Sequence, residues 1–266
     1  MIYKALTIAG SDSGGGAGIQ QDLKTFQAHG VWGMTAITAV TVQNTLGVSG
    51  FVELPPETVA EQIAAVASDI GVDAAKTGML AGAAIIEAVA EAVRDAELDR
   101  LVVDPVFISK HGDPLLHADA VEALRRSIVP LAMVVTPNAH EAAGLAGMAE
   151  VRTHADQIQA GEKILALGAR AVLVKGGHVE GTDAVDVLVT SGAVREFGSP
   201  RLDTPNTHGT GCMLSASITA GLAKGLDLDT AVGDAKEFVT GAIEHSLAIG
   251  KGIGPVNPSW RLDAGG

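Results

Sequence analysis

A glycine-rich segment, NTHGTGC at positions 206–212, carries the strongest chemical signal in the sequence. It leads into the apolar run MLSASITAGLAKG, which predicts a helix that begins near Thr210. Gly209 and Gly211 let the backbone approach an anion closely, and the N–H groups at a helix start favour negative charge. Such a site could stabilise a phosphoryl group during its transfer. The alternative is a glycine-rich turn that leads into a buried helix.

The segment ends in Cys212, the single cysteine of the chain. A thiol near a helix N-terminus is expected to have a lowered pKa, and it can accept a proton or a hydrogen bond. A nucleophilic pair of Cys212 with His208 is an alternative, although the sequence supplies no third group to orient the histidine. That alternative would make the protein a hydrolase acting through sulfur.

Charged side chains that follow other apolar segments suggest a metal ion and a phosphate. Asn138 and Glu141, in TPNAHE, could hold a hydrated Mg²⁺, which takes few carboxylates and keeps several waters. Glu141 could instead be an ordinary first-turn acid that complements the helix dipole. Asp104, in VVDP, is a second candidate for the metal region, and Lys175, after AVLV, could reach a phosphate. Lys110, in FISKHGDPLL, either closes over a ligand or is a surface lysine.

A second glycine-rich segment, GSDSGGGAG at positions 10–18, joins a predicted strand to a predicted helix. It does not fit the GxGxxG spacing, and GxxxxGK[ST] occurs nowhere in the chain, so neither common nucleotide-binding fingerprint is present. The segment is either a flexible turn or a ligand-binding loop. Asp22, about one turn into the following helix, is either an exposed helix-start acid or an acceptor that faces the ligand.

The elements that must position these residues alternate along the chain. Short apolar segments predict strands at 3–9, 34–42, 74–77, 101–106, 133–136 and 171–175. Longer amphipathic segments predict helices at 19–28, 57–68, 83–96, 118–127, 155–167, 213–224 and 230–248. This order predicts an α/β fold, a mostly parallel sheet with helices on both faces. Ligands of such sheets bind at the carboxyl ends of the strands, where the candidates lie.

Two places break the alternation. Residues 50–54 follow the 34–42 strand too closely for a helical crossover, which predicts a small hairpin or flap. Residues 184–190 and 194–198, joined by Ser191-Gly192, predict a second hairpin. Because no linker, repeat or composition shift divides the chain, a single domain over residues 1–266 is expected.

Composition and charge narrow the class of protein. The net charge of −13 argues against nucleic acid and anionic membranes as partners. The sequence has no run of about 18 apolar residues, and MIYKALTIAGSD lacks the apolar segment of a signal peptide. A single cysteine indicates a reducing compartment, so a cytoplasmic protein is expected. The 8 histidines show neither HxxxH nor HExxH, and no zinc site is expected.

Taken together, the motifs resemble the ribokinase-like superfamily and, within it, the hydroxymethylpyrimidine/phosphomethylpyrimidine kinases of thiamine biosynthesis. The resemblance covers almost the whole chain and rests on AGSDSGGGAGIQQDLKTF, MTAITAVTVQNT, KTGML, DPVFISKHGDPLL, TPNAHEA, LVKGGH, NTHGTGC and GPVN. It implies a single α/β domain, ATP and Mg²⁺ as cofactors, and a homodimer. It also implies two successive phosphorylations, first of an alcohol and then of the phosphate monoester.

The resemblance gives a role to each matching position. Gln43 resembles the residue that hydrogen-bonds the aminopyrimidine edge, and the ring would be surrounded by Gly10, Asp22, Met79 and Val106. The metal would be organised by Asn138 and Glu141, with Asp104 in the same region. Lys175 matches a nucleotide-side position of the family, and Thr207 and Lys110 are further candidates for binding the nucleotide. The catalytic anion hole would comprise Gly209, Thr210, Gly211 and Cys212.

Some positions depart from the family pattern, and two other functions stay open. Phe107-Ile108-Ser109 after DPV, and Ser259-Trp260 after GPVN, bear on local details of the pocket. A pyridoxal or pyridoxine kinase would act on another hydroxymethyl heteroaromatic ring. A non-catalytic pyrimidine-binding regulatory protein could also keep the fold.

Many sugar and nucleoside kinases of the superfamily have an aspartate, the general base, where this chain has Cys212. The second acceptor of the implied reaction is already an anion and needs no base. An aspartate would repel it by about 4 kcal/mol at about 4 Å and a dielectric constant near 20. A neutral or weakly acidic thiol would tolerate both acceptors.

Overall fold

The computed structural model describes residues 2–109, 112–113, 115–116, 120–177, 179–180 and 182–263. Within these ranges, nine strands form one sheet in the order β3-β2-β1-β4-β5-β6-β7-β8-β9. The strands are β1 (Lys4–Ser11), β2 (Trp32–Asn44), β3 (Gly47–Glu53), β4 (Ala74–Thr77), β5 (Leu101–Val103), β6 (Val134–Val135), β7 (Ala171–Val174), β8 (Asp183–Thr190) and β9 (Val194–Pro200).

The helices follow the strands closely in the chain. They are α1 (Gly18–Ala28), α2 (Pro56–Asp69), α3 (Ala83–Asp95), α4 (Ala120–Ala123), α5 (Ala139–Ala146), α6 (His154–Leu165), α7 (Thr210–Ala223), α8 (Leu228–Glu244) and α9 (Trp260–Asp263). A π-helical turn (Leu124–Ile128) and a 3-10 turn (Val129–Leu131) extend α4.

The six inner strands, β2-β1-β4-β5-β6-β7, run parallel, and the three outer strands pair antiparallel. Strands β4 to β7 are buried along their whole length, as expected where helices cover both faces of a parallel sheet. Strand β3 forms the first expected hairpin, and β8 and β9 form the second. The predicted α/β fold class is therefore confirmed.

Two hydrophobic cores lie on opposite faces of the sheet. Helices α2 to α6 bury one set of apolar side chains, and α1, α7 and α8 bury the other. Helix α7 is buried at every residue from Met213 to Ala223, because it lies between the sheet and its neighbours α1 and α8. Across the described ranges, no helix combines the length and the apolar character needed to cross a membrane.

Several predicted boundaries were wrong, and α5 was not predicted. Strand β5 ends at Val103 rather than 106, because the chain turns there and the N–H of Val106 donates to the carbonyl of Asp104. Helix α8 ends at Glu244, four residues earlier than expected, since Leu247 already donates to the carbonyl of Pro255. Positions 118–119 of the predicted 118–127 helix lie outside the described residues.

Candidate active site

A cavity of about 690 Å³ opens at the carboxyl ends of the parallel strands. With one exception, the candidate residues that the structure describes line this cavity: Gly10, Gln43, Met79, Asp104, Val106, Asn138, Glu141, Lys175, Thr207, Gly209, Thr210, Gly211 and Cys212. The exception is Asp22, and Lys110 lies outside the described residues. Thirteen positions spread over two hundred residues of sequence therefore share one cavity.

The segment 206–212 forms the loop that precedes α7. Gly209 is its N-cap residue with φ 81°, a left-handed conformation that favours glycine. A Cβ at Gly209 would collide with the carbonyl oxygen of Gly16, so the close approach also requires glycine. Gly209 has no side chain that could cap the first turn of α7. The loop therefore has the geometry of a helix start that can receive an anion.

Lys175 places a positive charge between this loop and two carboxylates. Its Nζ lies 3.0 Å from Asp104 Oδ1 and 3.9 Å from Glu141 Oε2. A Cβ at Gly211 would lie 3.3 Å from the same Nζ, so the ammonium borders the loop of residues 206–212, hereafter the anion loop. Burial alone would lower the pKa of Lys175, but Asp104 and Glu141 outweigh burial and hold that pKa above its ordinary value. The side chain is therefore a permanent cation.

Asn138 and Glu141 form a capping box at the start of α5. The N–H of Glu141 donates to Asn138 Oδ1 at 2.9 Å, and the N–H of Asn138 donates to Glu141 Oε2 at 2.8 Å. Glu141 is thus a first-turn acid that also faces the cavity. Burial raises its pKa to about 7, Lys175 opposes this shift, and Asp104 adds to it. A nearby cation would stabilise the ionised form of this carboxylate, which burial disfavours.

The donor set fits a hydrated Mg²⁺ better than an ion held entirely by protein. Asp104 and Glu141 share Lys175, and the amide of Asn138 adjoins them. In the described part of the chain, no group of three or more His, Cys, Asp or Glu side chains is arranged to hold a metal. Magnesium typically needs one or two carboxylates and otherwise binds water and phosphate oxygens.

Glu141 leads to a prediction about stability in the absence of divalent cations. Its pKa of about 7 lies above the ordinary 4.5, so between these values the folded chain binds a proton that the unfolded chain does not. The free energy of unfolding therefore falls as the pH rises from the lower value through the upper one, by about 3 kcal/mol in all. We expect Glu141→Gln to remove this contribution, measured by urea unfolding in EDTA from about pH 5 to 8.

The matched control is Glu162→Gln, on the exposed side of α6. It should keep the pH dependence of the unmodified chain. If Glu141→Gln and the unmodified chain show the same pH dependence, the raised pKa of Glu141 is contradicted.

Cys212 contradicts the expectation of a lowered pKa. Burial raises the pKa of its free thiol to about 12; Lys76 opposes this shift, whereas Asp22 and Asp104 reinforce it. The helix start and the N–H of Gly18 favour the thiolate, but desolvation of the sulfur outweighs them. At neutral pH, Cys212 is therefore a neutral thiol at the edge of the anion loop.

A buried ion pair lies beneath the cavity wall. Lys76 Nζ lies 3.1 Å and 3.0 Å from the two carboxylate oxygens of Asp22, and the hydroxyl of Thr7 donates to Asp22 Oδ2 at 2.6 Å. Both charged side chains are fully buried, so the alternative of Asp22 as an exposed helix-start acid is wrong. Lys76 lines the cavity, and Asp22 does not. The role of Asp22 beside the substrate ring stays a prediction.

The sequence interpretation missed Lys76, although one signal was present. A lysine inside the apolar segment AAKTGML must either leave the sheet or find a buried partner. Burial would lower the pKa of Lys76, but the carboxylate of Asp22, with a smaller contribution from Asp104, outweighs burial and raises it. Lys76 is therefore a second permanent cation at this cavity.

The glycine-rich segment 10–18 joins β1 to α1, and Gly10 and Gly18 at its two ends line the cavity. It closes on a carboxylate of its own: Asp12 accepts hydrogen bonds from the N–H groups of Gly14 at 2.7 Å, Gly16 at 3.0 Å and Ala17 at 2.8 Å. Burial would raise the pKa of Asp12, but the bonds from His208 and these backbone groups lower it. The ionised carboxylate of Asp12 therefore lies inside this loop, and the sequence analysis did not identify Asp12 as a functional candidate.

The sequence analysis also did not identify a group of hydrogen-bonded side chains on the cavity wall that β8 and α8 form. Asp186 accepts from the N–H of Gly176 at 2.7 Å and from Lys236 Nζ at 2.9 Å. Arg201 donates to the carbonyl of Gly177 at 2.6 Å. These bonds hold the turn that follows Lys175.

The α/β sheet, with a glycine-rich loop, a buried lysine and two carboxylates at its strand ends, fits a phosphotransferase of the ribokinase-like class. Residues 12–257 match the family model described as phosphomethylpyrimidine kinase. The chain belongs to this family, and it is a kinase. The resemblance noted from the motifs is thereby confirmed.

Relatives and solved structures agree with this assignment. The hydroxymethylpyrimidine/phosphomethylpyrimidine kinase of Streptomyces coelicolor is 51% identical over 257 residues, which cover 97% of this chain and 94% of the relative. The phosphomethylpyrimidine kinase of Clostridium difficile 630 is 43% identical with a TM-score of 0.81, covering 91% and 99% of the two chains. The ADP complex of Bacillus subtilis pyridoxal kinase is 43% identical with a TM-score of 0.91, covering 98% and 100%.

Proposed function

We propose that this kinase transfers a phosphoryl group from ATP to 4-amino-5-hydroxymethyl-2-methylpyrimidine, and then a second group to the monophosphate, as part of thiamine biosynthesis. The observation that carries the proposal is the neutral thiol of Cys212 at an anion loop flanked by Lys175 and Lys76. Such a site can accept first an alcohol and then a phosphate monoester, because the thiol adds no negative charge of its own beside either acceptor. The name of the Streptomyces relative describes both steps.

The acceptor ring would lie near the ends of β1, β2 and β4. Gly10 and Met79 are in close contact there, since a Cβ at Gly10 would lie 3.2 Å from Met79 Sδ. Val106 adds an apolar surface, and the Gln43 side chain supplies a polar edge for the aminopyrimidine. Apolar walls with a few polar groups suit a small heteroaromatic ring.

ATP would bind with its phosphates between Lys175 and the anion loop, near Thr207. Asn138, Glu141 and Asp104 would hold Mg²⁺, which when bound neutralises charge on the phosphate oxygens. The Lys175 ammonium and the backbone of residues 209–212 would stabilise the charge of the transferred group. The Bacillus subtilis neighbour was solved as an ADP complex, which supports ATP as the phosphoryl donor.

A pyridoxal or pyridoxine kinase is the second candidate. The Bacillus subtilis neighbour, with a TM-score of 0.91, is a pyridoxal kinase. Pyridoxal is another heteroaromatic ring with a hydroxymethyl group. A non-catalytic binding protein would not need Lys175 and Glu141 beside the anion loop. Their arrangement therefore favours catalysis.

The test is ³¹P NMR of the purified protein with ATP, Mg²⁺ and hydroxymethylpyrimidine. We expect a monophosphate followed by a diphosphate. Lys175→Met should lower the rate by about 10²- to 10³-fold, because it removes a cation at the transferred group. The exposed Lys163→Met is the matched control and should keep the rate. Product from pyridoxal alone would favour the second candidate, and no product from either would favour a binding protein.

The proposal includes a homodimer formed through the outer face of the hairpin β2–β3. Val40, Val42 and Val52 are 48%, 66% and 70% exposed, and Val40 pairs with Val52 in the register. An apolar patch of this kind on a sheet edge favours burial against a second copy. The free thiol of Cys212 agrees with a reducing, cytoplasmic setting.

We expect Val42→Lys to convert the dimer into a monomer, because a charge at the centre of the patch would be buried without a partner. Light scattering after gel filtration measures the mass. Leu226→Lys, at an exposed position between α7 and α8, is the control and should leave the mass of a dimer. A monomeric unmodified chain, or a dimeric Val42→Lys chain, contradicts this interface.

A further inference from the structure

We propose that Asp12 and His208 form a positioning pair that locks the glycine-rich loop of residues 10–18 onto the anion loop of residues 206–212. The inference rests on the proposed function, because its consequence is the placement of the acceptor relative to the transferred phosphoryl group. Neither residue has to contact the reacting atoms.

The pair joins distant parts of the chain by a buried contact. His208 Nε2 lies 3.1 Å from Asp12 Oδ2, and both side chains are almost completely buried. Asp12 is 196 residues away in sequence and is itself fixed by the N–H groups of Gly14, Gly16 and Ala17. A hydrogen bond to a buried, ionised carboxylate is stronger than a neutral one. Movement of His208 would therefore leave a buried charge with fewer donors.

The main chain around His208 is also fixed. Its N–H donates to the carbonyl of Gly254, and its carbonyl accepts from the N–H of Val256. The imidazole thus connects three segments: the glycine-rich loop, the anion loop and the GPVN segment that follows α8. Its position is set by main-chain bonds on one side and by Asp12 on the other.

The two loops pack so closely that a shift of one must move the other. A Cβ at Gly16 would lie 2.5 Å from the His208 ring, and a Cβ at Gly209 would collide with the carbonyl of Gly16. The N–H of Gly18, at the end of the same loop, acts on the thiol of Cys212. The glycine-rich loop therefore contacts both His208, which precedes the N-cap of α7, and the thiol of Cys212 in the first turn of α7.

The pair also reaches the acceptor side of the cavity. Gln43 Nε2 lies 3.4 Å from His208 Nε2, and the main chain of Gln43 is bonded to Ser13 of the glycine-rich loop. Gln43 is the residue proposed to hydrogen-bond the pyrimidine edge. The pair thus links the group that orients the acceptor with the loop that receives the phosphoryl group.

The consequence is a specific kinetic signature. In the proposed nucleotide site, Lys175 is held by Asp104 and Glu141, and the pair contacts neither of these carboxylates in the described contacts. Loss of the pair should therefore lower kcat by a larger factor than it raises KM for ATP, because Lys175 would still hold the nucleotide phosphates. A displacement of about 1 Å at a reacting centre can lower the rate about 100-fold.

The test compares His208→Gln with His208→Asn. The two side chains have the same amide, but only glutamine is long enough to place an N–H near the position of the imidazole Nε2. We expect kcat of His208→Gln within about tenfold of the unmodified enzyme, and kcat of His208→Asn lower by about 100-fold, with KM for ATP changed less than about threefold in both. Equal activities of the two variants, or a loss confined to KM for ATP, would overturn the proposal.

A readout independent of turnover separates this inference from the proposed function. Hydrogen exchange of the amides in residues 206–212 should be about tenfold faster in His208→Asn than in His208→Gln, because the loop opens more easily. His29→Asn is the control: His29 is partly buried and bonds Ser217 Oγ at 2.9 Å, and it does not line the cavity. Unchanged exchange in His208→Asn, or faster exchange at the same peptide in His29→Asn, would contradict the link. An unmodified chain that phosphorylates neither acceptor would contradict the proposed function alone.

Discussion

Replacing Cys212 with aspartate is expected to lower the rate of the second phosphorylation about a thousandfold, while the first stays within about tenfold. The reason is repulsion. An aspartate carboxylate about 4 Å from the phosphate of the monoester costs about 4 kcal/mol at an effective dielectric constant near 20. The first acceptor is an uncharged alcohol, which a carboxylate tolerates and can deprotonate.

The surroundings of Cys212 make this charge effect large. Asp22 and Asp104 already act on the thiol, and together with burial they raise its pKa to about 12. A carboxylate at this position would add a third negative group beside the incoming phosphate. Lys76 offsets part of the repulsion, but it is already paired with Asp22.

The measurement is a separate steady-state rate with each acceptor, the alcohol and its monophosphate. Cys212→Ser is the matched control, since it is small and uncharged and should keep both steps. If Cys212→Asp kept the second step and lost only the first, the explanation by charge would be wrong.

Replacing Lys76 with methionine is expected to lower the free energy of unfolding by about 3 to 5 kcal/mol. Asp22 would then be a fully buried carboxylate whose remaining described donor is the hydroxyl of Thr7. The variant should also lose phosphorylation of the monophosphate, because the ammonium that faces the cavity beside Cys212 is gone.

A double variant separates the two effects. In Lys76→Met with Asp22→Asn, the buried charge disappears and the amide oxygen still accepts from Thr7, so most of the stability should return. The second phosphorylation should stay lost, because the cation is still missing. Urea unfolding and turnover of the monophosphate give the two readouts. If the double variant recovered both the stability and the second phosphorylation, Lys76 would have only a structural role.

The order of strands and helices could be predicted from the sequence, because hydrophobic periodicity is a local property. The strand at 74–77 and both hairpins follow from it. The gathering of the candidates at one cavity could also be predicted, since parallel strands bring their carboxyl ends to one edge. The single domain and the role of each site residue stay predictions.

The ends of the strands and helices, and the existence of α5, were harder to predict from the sequence. The capping box of Asn138 and Glu141 begins an eight-residue helix whose pattern is too short to stand out. The end of β5 depends on a turn at Asp104 that side-chain polarity alone does not place.

The sequence by itself determined the α/β class, the glycine-rich loop at the start of a helix and the family, because these rest on local patterns and ordered motifs. The tertiary structure alone decided which buried side chains pair with one another and which of them are charged. Lys76 meets Asp22 across 54 residues and His208 meets Asp12 across 196, and no local pattern encodes such contacts. The pKa of Cys212 rises rather than falls because desolvation depends on the atoms that surround the sulfur, and those come from the whole fold.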